Sequence, residues 1–220
     1  MDRQHADRVR RDHRLVPRFR RVGLWLVLGG SLIASPSFVG AEAVIGQPAP
    51  AFTLTDTTGH ARSLADWHGN IVVLEWFNND CPFVGKHYGS GNMQQMQADY
   101  TAKGVVWLSV VSSAAGKQGH ISPEEGNEIM KQRQSHQTAM LLDSDGVVGR
   151  SYGAKTTPHL FIISPDGALI YAGGVDNIAS TDQADVPNAT NFVRHALDEV
   201  LAGQPVSVSE SKPYGCSVKY

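Results

Sequence analysis

The sequence predicts an α/β fold in which a central mixed β-sheet is flanked by helices. Two apolar runs, "IVVLEWF" (71–77) and "VVWLSVV" (105–111), are typical of strands that are covered on both faces. Each run is followed by a segment of helical character, and this alternation is typical of a parallel sheet with helices on both sides. The turn "PDG" between "PHLFIIS" and "ALIYAGG" adds an antiparallel hairpin, so the sheet is expected to be mixed.

The first half of the domain contains a hairpin and an interrupted helical region. Residues 46–67 place turn residues around two short β-prone pieces, which predicts an N-terminal β-hairpin extension. Glycines 85, 89 and 91 break the first part of the helical region that follows the strand at 71–77. The segment "NMQQMQADYTAKG" then predicts a helix that ends at Gly104.

The second half supplies two more helices and a short strand. Ser122 and Glu125 form a capping-box pattern at the start of a helix that is expected to run to about Gln134. The run "TAMLL" (138–142) predicts a short strand. The segment "ATNFVRHALDEVLAG" (189–203) predicts an amphipathic helix with a glycine stop.

The ends of the chain differ in character from the middle. Arginines crowd the first 21 residues, and a short Gly/Ser-rich apolar stretch with small residues at its end follows them. We therefore expect residues 1–43 to be a signal peptide, 44–203 the α/β domain, and 204–220 a C-terminal tail carrying Cys216. The mature protein would then be periplasmic or secreted. The alternative is an uncleaved membrane anchor, which would be the protein's only contact with a membrane.

The charge balance argues against a nucleic-acid partner. The formal net charge of −2 conceals a basic N-terminus, and the residues after position 43 carry a net −6. No basic stripe is available in that part of the sequence to bind phosphates.

Cys81 is the first candidate for chemistry, and it is one of only two cysteines in the chain. It stands four residues after Phe77, where a buried strand gives way to a helix, and Pro82 suits the first helical position. Unpaired N–H groups at a helix N-terminus favour a thiolate and lower the pKa of such a cysteine. Lys86 and His87 are expected to add positive potential.

With this thiol in place, the chain resembles the thioredoxin fold. It is most similar to the peroxiredoxin-like redoxins of the alkyl hydroperoxide reductase/thiol-specific antioxidant type. The fragments "GQPAPAFTL", "SGNMQ", "GKQGH" and "GCSVKY", together with "TTP" before "HLFII", carry the resemblance, which covers about Gly46 to Gly203.

The resemblance implies roles for four residues around the thiol. Cys81 takes the place of the attacking cysteine, and Pro158 that of the cis-proline that packs beside it. The backbone at Thr157 would bind an extended substrate. Glu75 takes the place of a buried acid that assists proton transfer, and the alternative is a strand carboxylate that reaches solvent or a lysine.

Departures from the family pattern bear on peroxide chemistry. Peroxiredoxins have a proline and a Thr or Ser where this chain has Leu74 and Asn78, and Pro158 stands in place of their active-site arginine. Asn78, Asn79 and Lys155 are candidates to replace those groups. Losing one donor that polarises the peroxide bond can cost ~3 kcal/mol of transition-state stabilisation.

The second cysteine allows a disulfide mechanism. Thioredoxins carry a partner cysteine three residues after the first, but this chain has Val84 there. Cys216 lies 13 residues beyond Gly203, in a tail that could span on the order of 40 Å and return to Cys81. We predict that Cys216 resolves an oxidised Cys81 as a disulfide.

The sequence therefore predicts an exported thiol oxidoreductase that needs no cofactor. Its first-choice substrate is a small peroxide, the alternative is a protein disulfide, and an external thiol would act as reductant. A non-enzymatic module remains a second hypothesis, with either a structural Cys81–Cys216 disulfide or a soft metal bound by Cys81, His87 and His159.

Overall fold

A computed structural model describes residues 43–220. The strands are β1 (Thr53–Asp56), β2 (Ala61–Ser63), β3 (Val72–Trp76), β4 (Val106–Val111), β5 (Ala139–Leu142), β6 (Thr156–Thr157), β7 (His159–Ile163), β8 (Leu169–Gly173) and β9 (Cys216–Ser217). The helices are α1 (Pro82–Gly89), α2 (Asn92–Thr101), α3 (Pro123–Gln132), α4 (Val147–Ser151) and α5 (Phe192–Leu201).

The sheet is mixed, as the sequence predicts. Within the described residues, seven strands form one sheet in the order β2-β1-β5-β4-β3-β7-β8. Strands β3, β4 and β5 run parallel, while β7, β8 and the β1–β2 hairpin are antiparallel to their neighbours. A separate two-stranded sheet joins β6 to β9. This arrangement is the thioredoxin-like fold, and the expected N-terminal hairpin is confirmed.

Side chains of the central strands alternate between two cores. On one face Val73 and Trp107 pack with residues of α1, α2 and α5, and the Cys81 side chain belongs to this cluster. On the other face Leu74 and Leu108 pack with residues of α4 and of the N-terminal segment. All five residues of β3 are buried, which explains why its sequence is apolar on both faces.

Some helix boundaries differ from the sequence prediction. Helix α1 continues through Gly85 and ends at Gly89. The chain then turns at Gly91, which has a φ of 75°. An internal glycine costs a helix about 1 kcal/mol, an amount that the burial of α1 offsets. The last helix is shorter than expected, and a 3-10 helix (Gln183–Asn188) precedes it. Helix α3 likewise ends two residues before Gln134.

The predicted signal peptide lies outside the described residues. Among the residues that the structure does describe, no helix has the length and apolar character needed to span a membrane.

The capping box at the start of α3 forms as predicted and gives a test of the fold. The Ser122 side chain accepts from the Glu125 backbone, and Glu125 accepts in turn from the backbone of Ser122. Because Ser122→Ala removes one of these bonds, we expect it to lower the free energy of unfolding by about 1 kcal/mol in urea titrations. The exposed Ser144 gives a control, and an equal loss in Ser144→Ala would contradict this explanation.

Candidate active site

The loop between β3 and α1 places Cys81 at the N-cap of the helix. Its backbone is extended, with φ −81° and ψ 121°, and Pro82 is the first helical residue. The loop is held by an Asn78 turn, in which the Cys81 N–H donates to the Asn78 carbonyl at 3.1 Å. The Asn78 side chain accepts from the Asp80 N–H at 2.9 Å. Asn78 is buried, and its side chain stabilises the loop through the hydrogen bond with Asp80.

The tail returns to the thiol and brings Cys216 to Cys81. Strand β9 pairs antiparallel with β6, so that Thr157 lies opposite Cys216. Cys81 Sγ is 2.8 Å from Cys216 Sγ and 3.0 Å from the Thr157 carbonyl oxygen. Both cysteines are free thiols. The Thr157–Pro158 peptide bond is cis, as the resemblance implied. The structure thus gathers Cys81, Cys216, Thr157 and Pro158 at one place.

The two thiols differ in exposure and in acidity. Cys81 is 1% exposed, whereas Cys216 is half-buried. Burial raises the pKa of Cys81, but hydrogen bonds from the Cys216 thiol, the Thr157 hydroxyl and the backbone at Val84 lower it by more, so the pKa lies below its usual value. Burial and the adjacent Cys81 raise the pKa of Cys216 to about 11. Cys81 is therefore the more acidic of the two thiols.

The expectation that Lys86 and His87 supply free positive charge is wrong. The Lys86 ammonium is buried 3.2 Å from the Asp176 carboxylate, and it donates to the Ile178 carbonyl at 2.7 Å. Burial lowers the pKa of His87 to about 4, which leaves the ring neutral near pH 7. The sequence could not reveal this because Asp176 lies 90 residues away in the chain.

Sequence reasoning also missed Tyr214, which connects the tail to this cluster. Its hydroxyl donates to Asp176 at 2.5 Å, and Lys86 donates to that hydroxyl at 3.2 Å. The His87 Nε2 lies 3.1 Å from the same oxygen. The available signal was the pattern "YGC", in which an aromatic residue and a glycine precede the second cysteine. We call Lys86, His87, Asp176 and Tyr214 the tail anchor.

Glu75 is a buried acid, so the alternative of a carboxylate reaching solvent or a lysine is wrong. Its side chain accepts from Trp107 at 2.8 Å and from Tyr88 at 3.0 Å. Gln97 and Ser109 donate from 3.3 and 3.4 Å. Burial raises the pKa of Glu75 to about 7, against the lowering effect of these bonds. Within residues 43–220 no hydrogen bond joins Glu75 to Cys81.

The hypothesis of a soft-metal site finds no geometry to support it. His87 contacts Tyr214 and Asn92, and the Nδ1 of His159 lies 3.3 Å from the Lys155 backbone nitrogen. In the part of the chain that the structure describes, no group of three or more Cys, His, Asp or Glu side chains is arranged to hold a metal ion.

The fold and a low-pKa thiol at a helix N-terminus define a redoxin of the thioredoxin superfamily. A model of the AhpC/TSA family matches residues 45–172, which is more than half of the chain. The chain belongs to that family.

Similar proteins include two thiol-disulfide oxidoreductases. The thiol-disulfide oxidoreductase ResA of Bacillus subtilis (strain 168) is 28% identical over 156 residues, covering 69% of this chain and 82% of ResA. The ResA of Geobacillus kaustophilus (strain HTA426) is 25% identical over 162 residues, covering 73% of this chain and 87% of the relative.

Solved structures confirm the fold. An uncharacterized conserved protein from Geobacillus kaustophilus aligns with a TM-score of 0.68 at 28% identity, covering 80% of this chain and 92% of that one. A hypothetical protein from Sinorhizobium meliloti 1021 aligns with a TM-score of 0.69 at 24% identity, covering 81% and 96%.

Gly215 gives a test of how the tail reaches the site. It has a φ of 147°, and a Cβ there would overlap the Thr157 carbonyl oxygen. Gly215→Ala should therefore displace Cys216 and slow closure of the Cys81–Cys216 disulfide at least about tenfold, which corresponds to a rise of ~1.4 kcal/mol in the activation barrier. Closure can be followed by quenched mass spectrometry after adding oxidised glutathione. Ser217→Ala, at an exposed position on the same strand, should close like the wild type.

Glu75→Gln should change how stability depends on pH. The pKa of Glu75 is raised from 4.5 to about 7, so between these values the folded protein binds more protons than the unfolded chain. The free energy of unfolding then falls as the pH rises through this window, and Glu75 accounts for a loss of roughly 2 to 3 kcal/mol between about pH 5 and pH 8. Urea titrations at both values should show this loss in the wild type and not in the variant. Equal pH dependence in the two proteins would contradict the raised pKa.

Proposed function

We propose that this chain catalyses thiol–disulfide exchange, with Cys81 as the attacking thiol and Cys216 as the resolving thiol. The observation that carries the proposal is the 2.8 Å separation of the two sulfurs, which come from elements 135 residues apart in the chain. The named relatives are thiol-disulfide oxidoreductases, and this supports a protein disulfide as substrate.

The first step is attack by the Cys81 thiolate on one sulfur of a partner's disulfide. The partner's S–S bond breaks, a mixed disulfide forms at Cys81, and the other partner sulfur leaves as a thiolate with the bonding electron pair. The lowered pKa of Cys81 favours the ionised form that this step requires. Because Cys81 is 1% exposed, the tail must move aside before the partner can reach it.

The second step is closure of the internal disulfide. The Cys216 thiolate attacks the Cys81 sulfur, the mixed disulfide breaks, and the second partner sulfur leaves as a thiolate. The partner has gained two electrons, and the protein holds a Cys81–Cys216 disulfide. Burial is the largest cause of the raised pKa of Cys216, and the adjacent Cys81 adds to it. Once Cys81 carries the partner its negative charge is gone, so this second contribution no longer opposes ionisation of Cys216.

An external thiol then reopens the internal disulfide. Its thiolate is expected to attack Cys216, because that residue is half-buried whereas Cys81 is almost fully buried. Cys81 is also the better leaving group, since its pKa is the lower of the two. A second reductant thiol releases the first and returns both cysteines to the reduced form.

Exchange fits the site better than peroxide reduction, which was the first expectation. The closest polar atoms to the Cys81 sulfur are the Thr157 carbonyl oxygen at 3.0 Å, which cannot donate, and the Cys216 thiol at 2.8 Å, which is a weak donor for a peroxide oxygen. The side-chain oxygens of Asn78 and Asn79 accept from Asp80 and Arg133, and among the described residues neither side chain forms a hydrogen bond with the Cys81 sulfur.

The proposed cellular location, outside the cytoplasm, is based on the N-terminal sequence. The basic and apolar character of residues 1–43 supports export, which would place the pair in a periplasmic or extracellular setting where disulfides persist. The partners would then be exported proteins and an external thiol.

Disulfide reduction by variants lacking one cysteine tests the proposed roles. We expect the wild type to accelerate reduction of insulin by dithiothreitol, and Cys81→Ser to abolish the acceleration. Cys216→Ser should accumulate a glutathione adduct on Cys81 when oxidised glutathione is added, because nothing resolves it. Intact mass spectrometry identifies the adduct.

Two results would contradict the proposed function. If Cys81 in Cys216→Ser reacts no faster than an ordinary thiol, the pair is a structural disulfide that holds the tail. If one equivalent of hydrogen peroxide closes the wild-type disulfide far faster than oxidised glutathione does, the protein is a peroxidase.

A further inference from the structure

Close to Cys216, one side chain of the tail forms hydrogen bonds with charged groups of the domain. Tyr214 lies two residues before that cysteine, and its hydroxyl contacts the Asp176 carboxylate and the Lys86 ammonium. Its ring meets Phe83 edge-on, with centroids 5.8 Å apart. Hydrogen bonds to ionised groups are roughly twice as strong as neutral ones, so this contact holds the tail more firmly than a single backbone bond does.

Helix α1 fixes both sulfurs at once. It begins at Cys81, and it carries Lys86 and His87 five and six residues later. At 1.5 Å of rise per residue, the anchor lies roughly 8–9 Å along the helix from the thiol. Two extended residues span about 7 Å, which is comparable with this separation, so a tail bound at Tyr214 holds Cys216 within reach of Cys81.

The other contacts of the tail near Cys216 are weaker constraints. Strand β9 pairs with β6 through only two residues. Beyond it, the Val218 N–H donates to the Lys155 carbonyl, and the Ala114 N–H donates to the Lys219 carbonyl. These are neutral backbone bonds, and at the end of the tail the Tyr220 hydroxyl donates to the Ala154 carbonyl, also a neutral group, at 2.7 Å. Gly215 has no side chain of its own to hold the turn between Tyr214 and Cys216.

We propose that Tyr214 is a positioning residue that holds Cys216 against Cys81, and that its release from Asp176, Lys86 and His87 exposes Cys81 to an external disulfide. The inference rests on the proposed function and extends it, because the same contact would set the speed of internal closure and the access of the partner. Weakening the contact should therefore slow one step and speed the other.

Tyr214→Phe tests the proposal by removing the hydroxyl and keeping the ring. The effective concentration of Cys216 toward Cys81, measured from the equilibrium with reduced and oxidised glutathione, should fall between about 10- and 100-fold. In a Cys216→Ser background, the same substitution should make Cys81 react several-fold faster with a bulky aryl disulfide reagent. General destabilisation could also loosen the tail and cause both changes, so the test needs a variant that loses a comparable hydroxyl elsewhere in the core.

Tyr152→Phe is the matched control. Its hydroxyl is also buried in a hydrogen bond, here to the Pro50 carbonyl at 2.7 Å. We expect this variant to keep the wild-type glutathione equilibrium. If it lowers the effective concentration as much as Tyr214→Phe does, general destabilisation is the cause and the proposal is wrong. An unchanged equilibrium and an unchanged reaction rate in Tyr214→Phe would also overturn it.

The glutathione measurements distinguish this inference from the proposed function. The glutathione measurements need no protein substrate. If the wild type failed to reduce insulin, exchange with proteins would be contradicted, but the measured effective concentration of Cys216 would still be valid. A fall in effective concentration in Tyr214→Phe would still establish Tyr214 as the residue that positions Cys216.

Discussion

The pairing of the last residues with strand β6 is the constraint on which the proposed exchange depends. Val84, where a thioredoxin has its second cysteine, is fully buried and apolar, so α1 offers no resolving thiol. The partner of Cys81 has to arrive from elsewhere, and it arrives as the residue opposite Thr157 in β9. A two-residue strand pair is too short to be stable by itself, so its position relies on the contacts on either side of it.

Two sets of buried polar contacts fix helix α1, and they hold Cys81 at its N-terminus in place. Tyr88 donates to Glu75 beneath the helix, and Lys86 meets Asp176 at its edge. A buried ion pair is a weak source of stability, because removing both charges from water offsets their attraction. What such a pair does supply is a fixed geometry. In this protein the fixed group is the helix that begins at Cys81 and binds the tail.

The sequence predicted those features that local patterns determine. The apolar run before Cys81, Pro82 after it, and the hairpin turn at "PDG" each act within a few residues, and the structure has each of them. The tail strand could not be predicted, because β9 contains two residues and its partner is chosen by tertiary packing. The charges of Lys86 and His87 were misjudged for the same reason, since Asp176 and Tyr214 approach from distant parts of the chain.

In the proposed exchange, the tail that would resolve the mixed disulfide also stands in the way of the substrate. In the reduced protein Cys216 lies against the almost fully buried Cys81, so an incoming sulfur can reach Cys81 only after the tail moves. Tighter binding of the tail would speed closure after the mixed disulfide forms, but it would reduce the fraction of molecules in which a partner can form that disulfide. An anchor of a few hydrogen bonds, strong enough to direct Cys216 and weak enough to release it, satisfies both demands. The anchor's strength therefore sets the balance between the two steps of exchange.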